Sequence, residues 1–192
     1  GAGLFAQKRG GAAAARFLAS RGLLLVGLEA TVVHLGWHTF DWRPVYALQV
    51  MWAIGLSMLV LSLLVRLPRA ALAAVAVLGI ACTPLFPAIA EAPAWAAVPL
   101  TILHESAYLV RGDAVQVAVT YPLLPWPFVM AIGVVCAPLF CWPPGRRRRI
   151  LAAGGVVLLL AFAALRLWNG TWADPNPWSE QPRGDLFTAL SF

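Results

Sequence analysis

Charge is scarce in this sequence. Only 11% of its 192 residues are Asp, Glu, Lys or Arg, and 61% are hydrophobic. An average soluble domain carries about a quarter charged residues, so too little polar surface is available to solvate an ordinary globule. Cysteine is scarce as well. Cys82, Cys136 and Cys141 each lie in an apolar stretch, and none belongs to a Cys-x-x-Cys pair. That argues against a disulfide framework or a zinc site. A phosphate-binding glycine loop and a nucleophile elbow are also missing. No internal repeat, low-complexity linker or separate soluble domain interrupts the chain. The first apolar block is followed by Trp37-His38-Thr39-Phe40-Asp41 instead of a small-x-small pattern, so no cleavable signal peptide is expected there.

What is present is a series of long apolar blocks. About 20 apolar residues in a helix cross a bilayer core of about 30 Å. The blocks predict an all-α fold, a polytopic integral membrane helix bundle with about five transmembrane helices plus the start of a sixth. The spans are expected at about 22–38, 47–65, 70–90, 126–142 and 150–167, within a single membrane domain over residues 1–192. Residues 186–192 read as the opening of the sixth, and the chain, starting at Gly1, reads as a fragment of a longer protein. Pro84 and Pro87 should bend or unwind the far end of the third span. Pro127 suits the first turn of the fourth. In the longest loop, residues 91–125, the mostly apolar stretch 96–110 is broken by His104, Glu105 and Ser106. A short helix lying in the outer interface is expected there.

The net charge is +6, but its placement points to the bilayer as partner and not to nucleic acid. Lys8, Arg9, Arg16 and Arg21 precede the first block, Arg66 and Arg69 separate the second and third, and Arg146 to Arg149 separate the fourth and fifth. These are ten of the fourteen basic residues. With five spans all three segments share one side, which the positive-inside rule makes cytoplasmic. Seven of the eight acids (Asp41, Glu91, Glu105, Asp113, Asp174, Glu180 and Asp185) fall on the other side. The expected location is a bacterial cytoplasmic (inner) membrane, multi-pass, with the N-terminal end cytoplasmic.

A few polar groups stand out against this background. Glu29 lies near mid-depth of the first block, where an ionisable side chain marks either a functional site or a structural carboxyl bonded to another helix. His34 and His38 are four apart and share a helix face. No third ligand stands at a persuasive spacing, so no metal is expected and both are read as interfacial histidines. Gln49, Arg166, Asn169 and Asp174 are expected to converge with them near the outer boundary. Arg166 is expected to pair with Asp174, grouping Trp168, Trp172 and Trp178. Nine tryptophans is a high count. All but Trp142 fall in the outer half or outside, which fits either an aromatic belt or indoles stacked on sugar rings.

Several segments taken in order resemble a known family. They are Arg16-Phe17-Leu18-Ala19-Ser20-Arg21-Gly22, Glu29, Gln49-Val50-Met51-Trp52-Ala53-Ile54-Gly55-Leu56-Ser57-Met58, Tyr121-Pro122-Leu123-Leu124-Pro125-Trp126, Val129-Met130-Ala131-Ile132-Gly133, Arg166, Asn169-Gly170, Asp174-Pro175 and Pro177-Trp178. This order is similar to bacterial membrane proteins related to the heparan-α-glucosaminide N-acetyltransferase catalytic domain, over nearly the whole chain. The chain departs from the family pattern at Ala81-Cys82, Gly133-Val134 and Trp172-Ala173.

The resemblance implies a membrane acyltransferase with acetyl-CoA as acyl donor and an extracytoplasmic amino sugar or glycan as acceptor. The family's catalytic histidine is expected upstream of Gly1 and is not carried onto His34 or His38. Glu29, Gln49, Tyr121, Trp126, Arg166, Asn169, Asp174 and Trp178 are the expected substrate-binding residues. Arg146 to Arg149 would serve as a topology anchor or as an entry for the CoA phosphates. The alternatives are a small-solute or lipid-precursor transporter, with Glu29 as its proton or substrate site, and a structural membrane subunit without chemistry.

Overall fold

A computed structural model of the chain describes residues 10–37, 45–85, 93–111 and 116–168. The chain divides into two compact units, residues 1–138 and 139–192.

In the first unit the alanine- and leucine-rich stretch after Gly10 forms helix α1, Gly11–Leu28. It contains no proline, and its residues lose little side-chain freedom in a helix. It runs on through a π-helical turn, Glu29–Val33, into the single-turn helix α2, His34–Trp37. Strand β1, Val45–Leu48, is followed by helix α3, Val50–Leu64. Pro68 caps helix α4, Arg69–Cys82. That helix tightens into a 3-10 turn at Thr83–Leu85, where the missing N–H of Pro84 breaks the α ladder. Helix α5 is Ala94–Leu103, and strands β2, Ala107–Arg111, and β3, Gln116–Val119, come next. Helix α6, Trp126–Cys136, has Pro127 in its first turn as expected and continues as a 3-10 turn, Ala137–Cys141.

Helices α1 and α3 pack closely. A Cβ added to Gly22 would sit 2.6 Å from the Gly55 carbonyl oxygen, and one added to Gly55 would sit 2.8 Å from that of Gly22. Small residues of this kind let two backbones touch. Below the crossing Ala14, Ala15 and Leu18 of α1 meet Leu61 and Val65 of α3, Leu72 and Ala76 of α4 and Ala131 of α6 in one buried cluster. Phe128 of α6 lies over Gly79 of α4, leaving no room for a Cβ there.

The two ends of this unit differ. Gly11 lies beside Val65 and Arg66, and the Arg69 guanidinium donates to the Val135 carbonyl at the end of α6. At the other end stands a three-stranded sheet of order β1-β3-β2. Strand β1 runs parallel to β3, Val45 opposite Gln116 and Leu48 opposite Val119. Strand β2 is antiparallel to β3, with an irregularity between Tyr108 and Val110. The hairpin is tied back by Leu123 and Leu124, whose N–H groups donate to the final carbonyls of α5, Ile102 and Leu103, at 2.9 and 2.8 Å.

The second unit holds helix α7, Pro144–Trp168. Its start is fixed by the Arg147 N–H donating to the Pro143 carbonyl at 3.0 Å, and by the Arg146 guanidinium 4.2 Å from the Trp142 ring centroid.

The five-span all-α bundle is not what forms. Among the described residues two helical stretches are long and apolar enough to cross a membrane, Gly11–Gly36 and Pro144–Leu165. These two suggest membrane association. The apolar helices Val50–Leu64, Arg69–Cys82 and Trp126–Cys141 are shorter, below the length of about 20 residues that a bilayer core requires. The expected second span loses its beginning to β1, whose Val45-Tyr46-Ala47-Leu48 pairs with β3 instead of coiling. The interfacial helix expected at 96–110 is cut to Ala94–Leu103, and the residues after it become β2. The physical reason is common to both cases. Hydropathy reports how apolar a stretch is, whereas β-branched and aromatic residues decide whether a short one pleats. Residues 86–90 of the expected third span and the start of a sixth helix at 186–192 lie outside the described residues.

Candidate functional site

Glu29 is the centre of the polar groups at the sheet end. It stands seven residues after Gly22, two turns along the face of α1 that packs on α3. Its side chain is 4% exposed. Oε1 accepts the backbone N–H of Gln49 at 3.0 Å, so a carboxyl from one helix caps the start of another, whose cap residue offers no side-chain bond of its own. Oε2 is buried and has no hydrogen-bond partner.

The π-helical turn begins at Glu29. The His34 N–H reaches back five residues to the Glu29 carbonyl, and the widened turn brings His34, not Val33, round after Glu29. Turns of this kind are frequent at functional sites. His34 is 6% exposed, and its ring stacks on Tyr46 of β1 with centroids 4.1 Å apart and planes 11° off parallel. His34 is therefore covered by the fold itself. The strand missed in the sequence supplies an aromatic face that buries it. Trp52, in the first turn of α3, has a buried indole Nε1 without a hydrogen-bond partner.

Of the expected site residues, Glu29 and Gln49 are brought into direct contact. The contact is through the Gln49 backbone, which side-chain chemistry could not announce. Tyr121 is brought to the same end, its N–H donating to the Leu48 carbonyl at 3.3 Å beside that of Thr120 at 2.9 Å. Its side chain is exposed, and so is that of Trp126 at the start of α6. Arg166 lies in the backbone of α7. Its side chain, His38, Asn169, Asp174 and Trp178 lie outside the described residues, and the expected Arg166–Asp174 pairing lies there with them. Among the described residues no group of three or more His, Cys, Asp or Glu side chains could hold a metal ion.

Tyr46 was not among the expected site residues. Its signal is the run Val45-Tyr46-Ala47-Leu48, short, apolar and followed by Gln49, which has strand composition. Trp52 is one of the outer tryptophans that fit either an aromatic belt or indoles stacked on sugar rings.

The arrangement is a buried carboxyl with one oxygen committed to a helix terminus and one uncommitted. The indole of Trp52 lies in the first turn of α3, and His34 stacks on Tyr46. The arrangement can accept a hydrogen bond from a polar group and donate another. A family model described as "Heparan-alpha-glucosaminide N-acetyltransferase, catalytic" matches residues 1–167. No curated protein and no solved structure matches the chain.

Proposed function

We propose that this chain, which belongs to the heparan-alpha-glucosaminide N-acetyltransferase catalytic family, serves acetyl transfer from acetyl-CoA to the amine of an amino sugar or related glycan at a membrane. The observation that carries the reading is the family match over residues 1–167. In the reaction the acceptor amine attacks the thioester carbonyl, a C–N bond forms, and the C–S bond breaks. The amine proton leaves through a general base and the CoA thiol departs.

The two ends of the first unit support a division of labour. Arg66 and Arg69 stand at one end, with the last turns of α3 and α6. Glu29, His34, Gln49 and Tyr46 stand at the other. We place the basic end on the cytoplasmic side of the inner membrane by the positive-inside rule. The donor then approaches from the basic end and the acceptor from the end that carries Glu29. Within the second unit, Arg146 to Arg149 carry positive charge that would itself suit CoA phosphates.

Incubation of the purified full-length protein with radiolabelled acetyl-CoA and glucosamine tests this. Label in N-acetylglucosamine is expected. If no acetyl-CoA is consumed while labelled solute accumulates inside protein-loaded vesicles, the transporter reading replaces it.

A further inference from the structure

Among the described residues, Glu29 Oε2 and Trp52 Nε1 are buried side-chain atoms without a hydrogen-bond partner, and their chemistry is complementary. Glu29 Oε2 accepts and Trp52 Nε1 donates. Unpartnered buried polar groups are uncommon in folded proteins, and each calls for an explanation.

The helix crossing sets both residues on the same flank. Gly22 and Gly55 mark the point of contact between antiparallel α1 and α3. Glu29 is two turns beyond Gly22. Trp52 is three residues, about one turn, before Gly55, and Gln49 is the cap at the start of the same helix. Gln49 is already bonded to Glu29. A side chain on a helix leans toward the helix N-terminus, so the Trp52 indole leans toward Gln49 and the level of Glu29.

We propose that Glu29 Oε2 and Trp52 Nε1 form the anchoring pair of the acceptor subsite, binding one hydroxyl of a pyranose between them. A hydroxyl donates one hydrogen bond and accepts others, so a single one satisfies both atoms. An ammonium has no lone pair for the indole N–H. An ionised carboxylate has no proton for the Glu29 oxygen. The stacked His34–Tyr46 rings add apolar surface at this end, suited to the C–H face of a sugar. Glu29 and Trp52 act here as binding residues, not as the base. The assignment deepens the acetyl-transfer reading and rests on it for the identity of the acceptor.

The test is equilibrium binding of tritiated glucosamine to the full-length protein in lipid nanodiscs, with acetyl transfer followed in parallel. Trp52→Phe keeps the ring and removes the donor, and it leaves the Gln49 cap untouched. Glu29→Gln keeps an acceptor for the cap. Each variant, checked for fold by thermal unfolding, should bind glucosamine about tenfold more weakly, the size of one lost hydrogen bond. In Trp52→Phe the affinity for the monodeoxy sugar that lacks the anchored hydroxyl should stay at its wild-type value. Unchanged glucosamine binding in folded Trp52→Phe overturns the pair, as does a wild type that binds no glucosamine. Weakened binding in the variants without any transfer by the wild type would keep the subsite and sink the acetyl-transfer reading. Transfer by the wild type with binding unaffected in both variants would do the reverse, leaving the orphan atoms to a buried water.

Discussion

Gln49 donates its backbone N–H to Glu29 Oε1 at 3.0 Å, across twenty residues of sequence. The contact joins the π-turn of the first helical stretch to Gln49, the cap of α3, and gives that part-buried donor a partner. Glu29→Ala should therefore destabilise the protein by about 1–3 kcal/mol, the cost of a buried polar group left without its partner. Glu29→Gln, which retains a carbonyl oxygen, should lose much less. Thermal unfolding in detergent separates the two. Equal losses would mean that the cap contributes nothing.

The Gly22–Gly55 crossing makes a second prediction. A methyl group on Gly22 would lie 2.6 Å from a backbone carbonyl oxygen, which cannot swing aside as a side chain can. Gly22→Ala should cost about 1–3 kcal/mol by overpacking. Gly27→Ala on the same helix, where a Cβ meets nothing within 4 Å, should be neutral or stabilising. Matching melting temperatures for the two variants would show that the helices do not touch at Gly22.

The contact between α4 and α6 is tested by coupling. Gly79→Ala would drive its methyl to 2.5 Å from the Phe128 ring. Phe128→Leu removes the ring's plane. The double variant should be less destabilised than the sum of the singles, by about 0.5–3 kcal/mol, as residues in contact behave. Strict additivity of the unfolding energies would separate these helices.

Part of this was legible in the sequence. Glu29 stood out because an ionisable residue in an apolar block is costly. The break at Pro84 and the placing of Pro127 followed from the missing proline N–H. The sheet was not legible. Residues 45–48 lie far along the chain from 107–111 and 116–119, and each run is too short to show a period. Pairing with β3 gives β1 its conformation, and strand composition at 45–48 does not by itself reveal a partner more than sixty residues away. The helix lengths misled for a related reason. The apolar block at 47–65 is continuous in composition, yet its strand and its helix part at Gln49. The Gln49 contact uses a backbone N–H, which every non-proline residue owns, so residue identity alone could not single it out.

Orientation is tested by single cysteines in a background with Cys82, Cys136 and Cys141 replaced. Ser106, at the sheet end, and Arg66, at the basic end, are both exposed. In intact cells Ser106→Cys should react with a membrane-impermeant maleimide and Arg66→Cys should react only after permeabilisation. The opposite pattern would invert the proposed sidedness.

Transfer across the membrane tests the account most directly. Sealed inverted vesicles containing the full-length protein, with glucosamine trapped inside, would receive radiolabelled acetyl-CoA from the outside, the face that was cytoplasmic. The account predicts labelled N-acetylglucosamine within the lumen, in amounts that rise with protein and fall in Trp52→Phe vesicles at limiting glucosamine. Intact acetyl-CoA and unlabelled lumenal sugar, under conditions where the protein is folded and inserted, would contradict it.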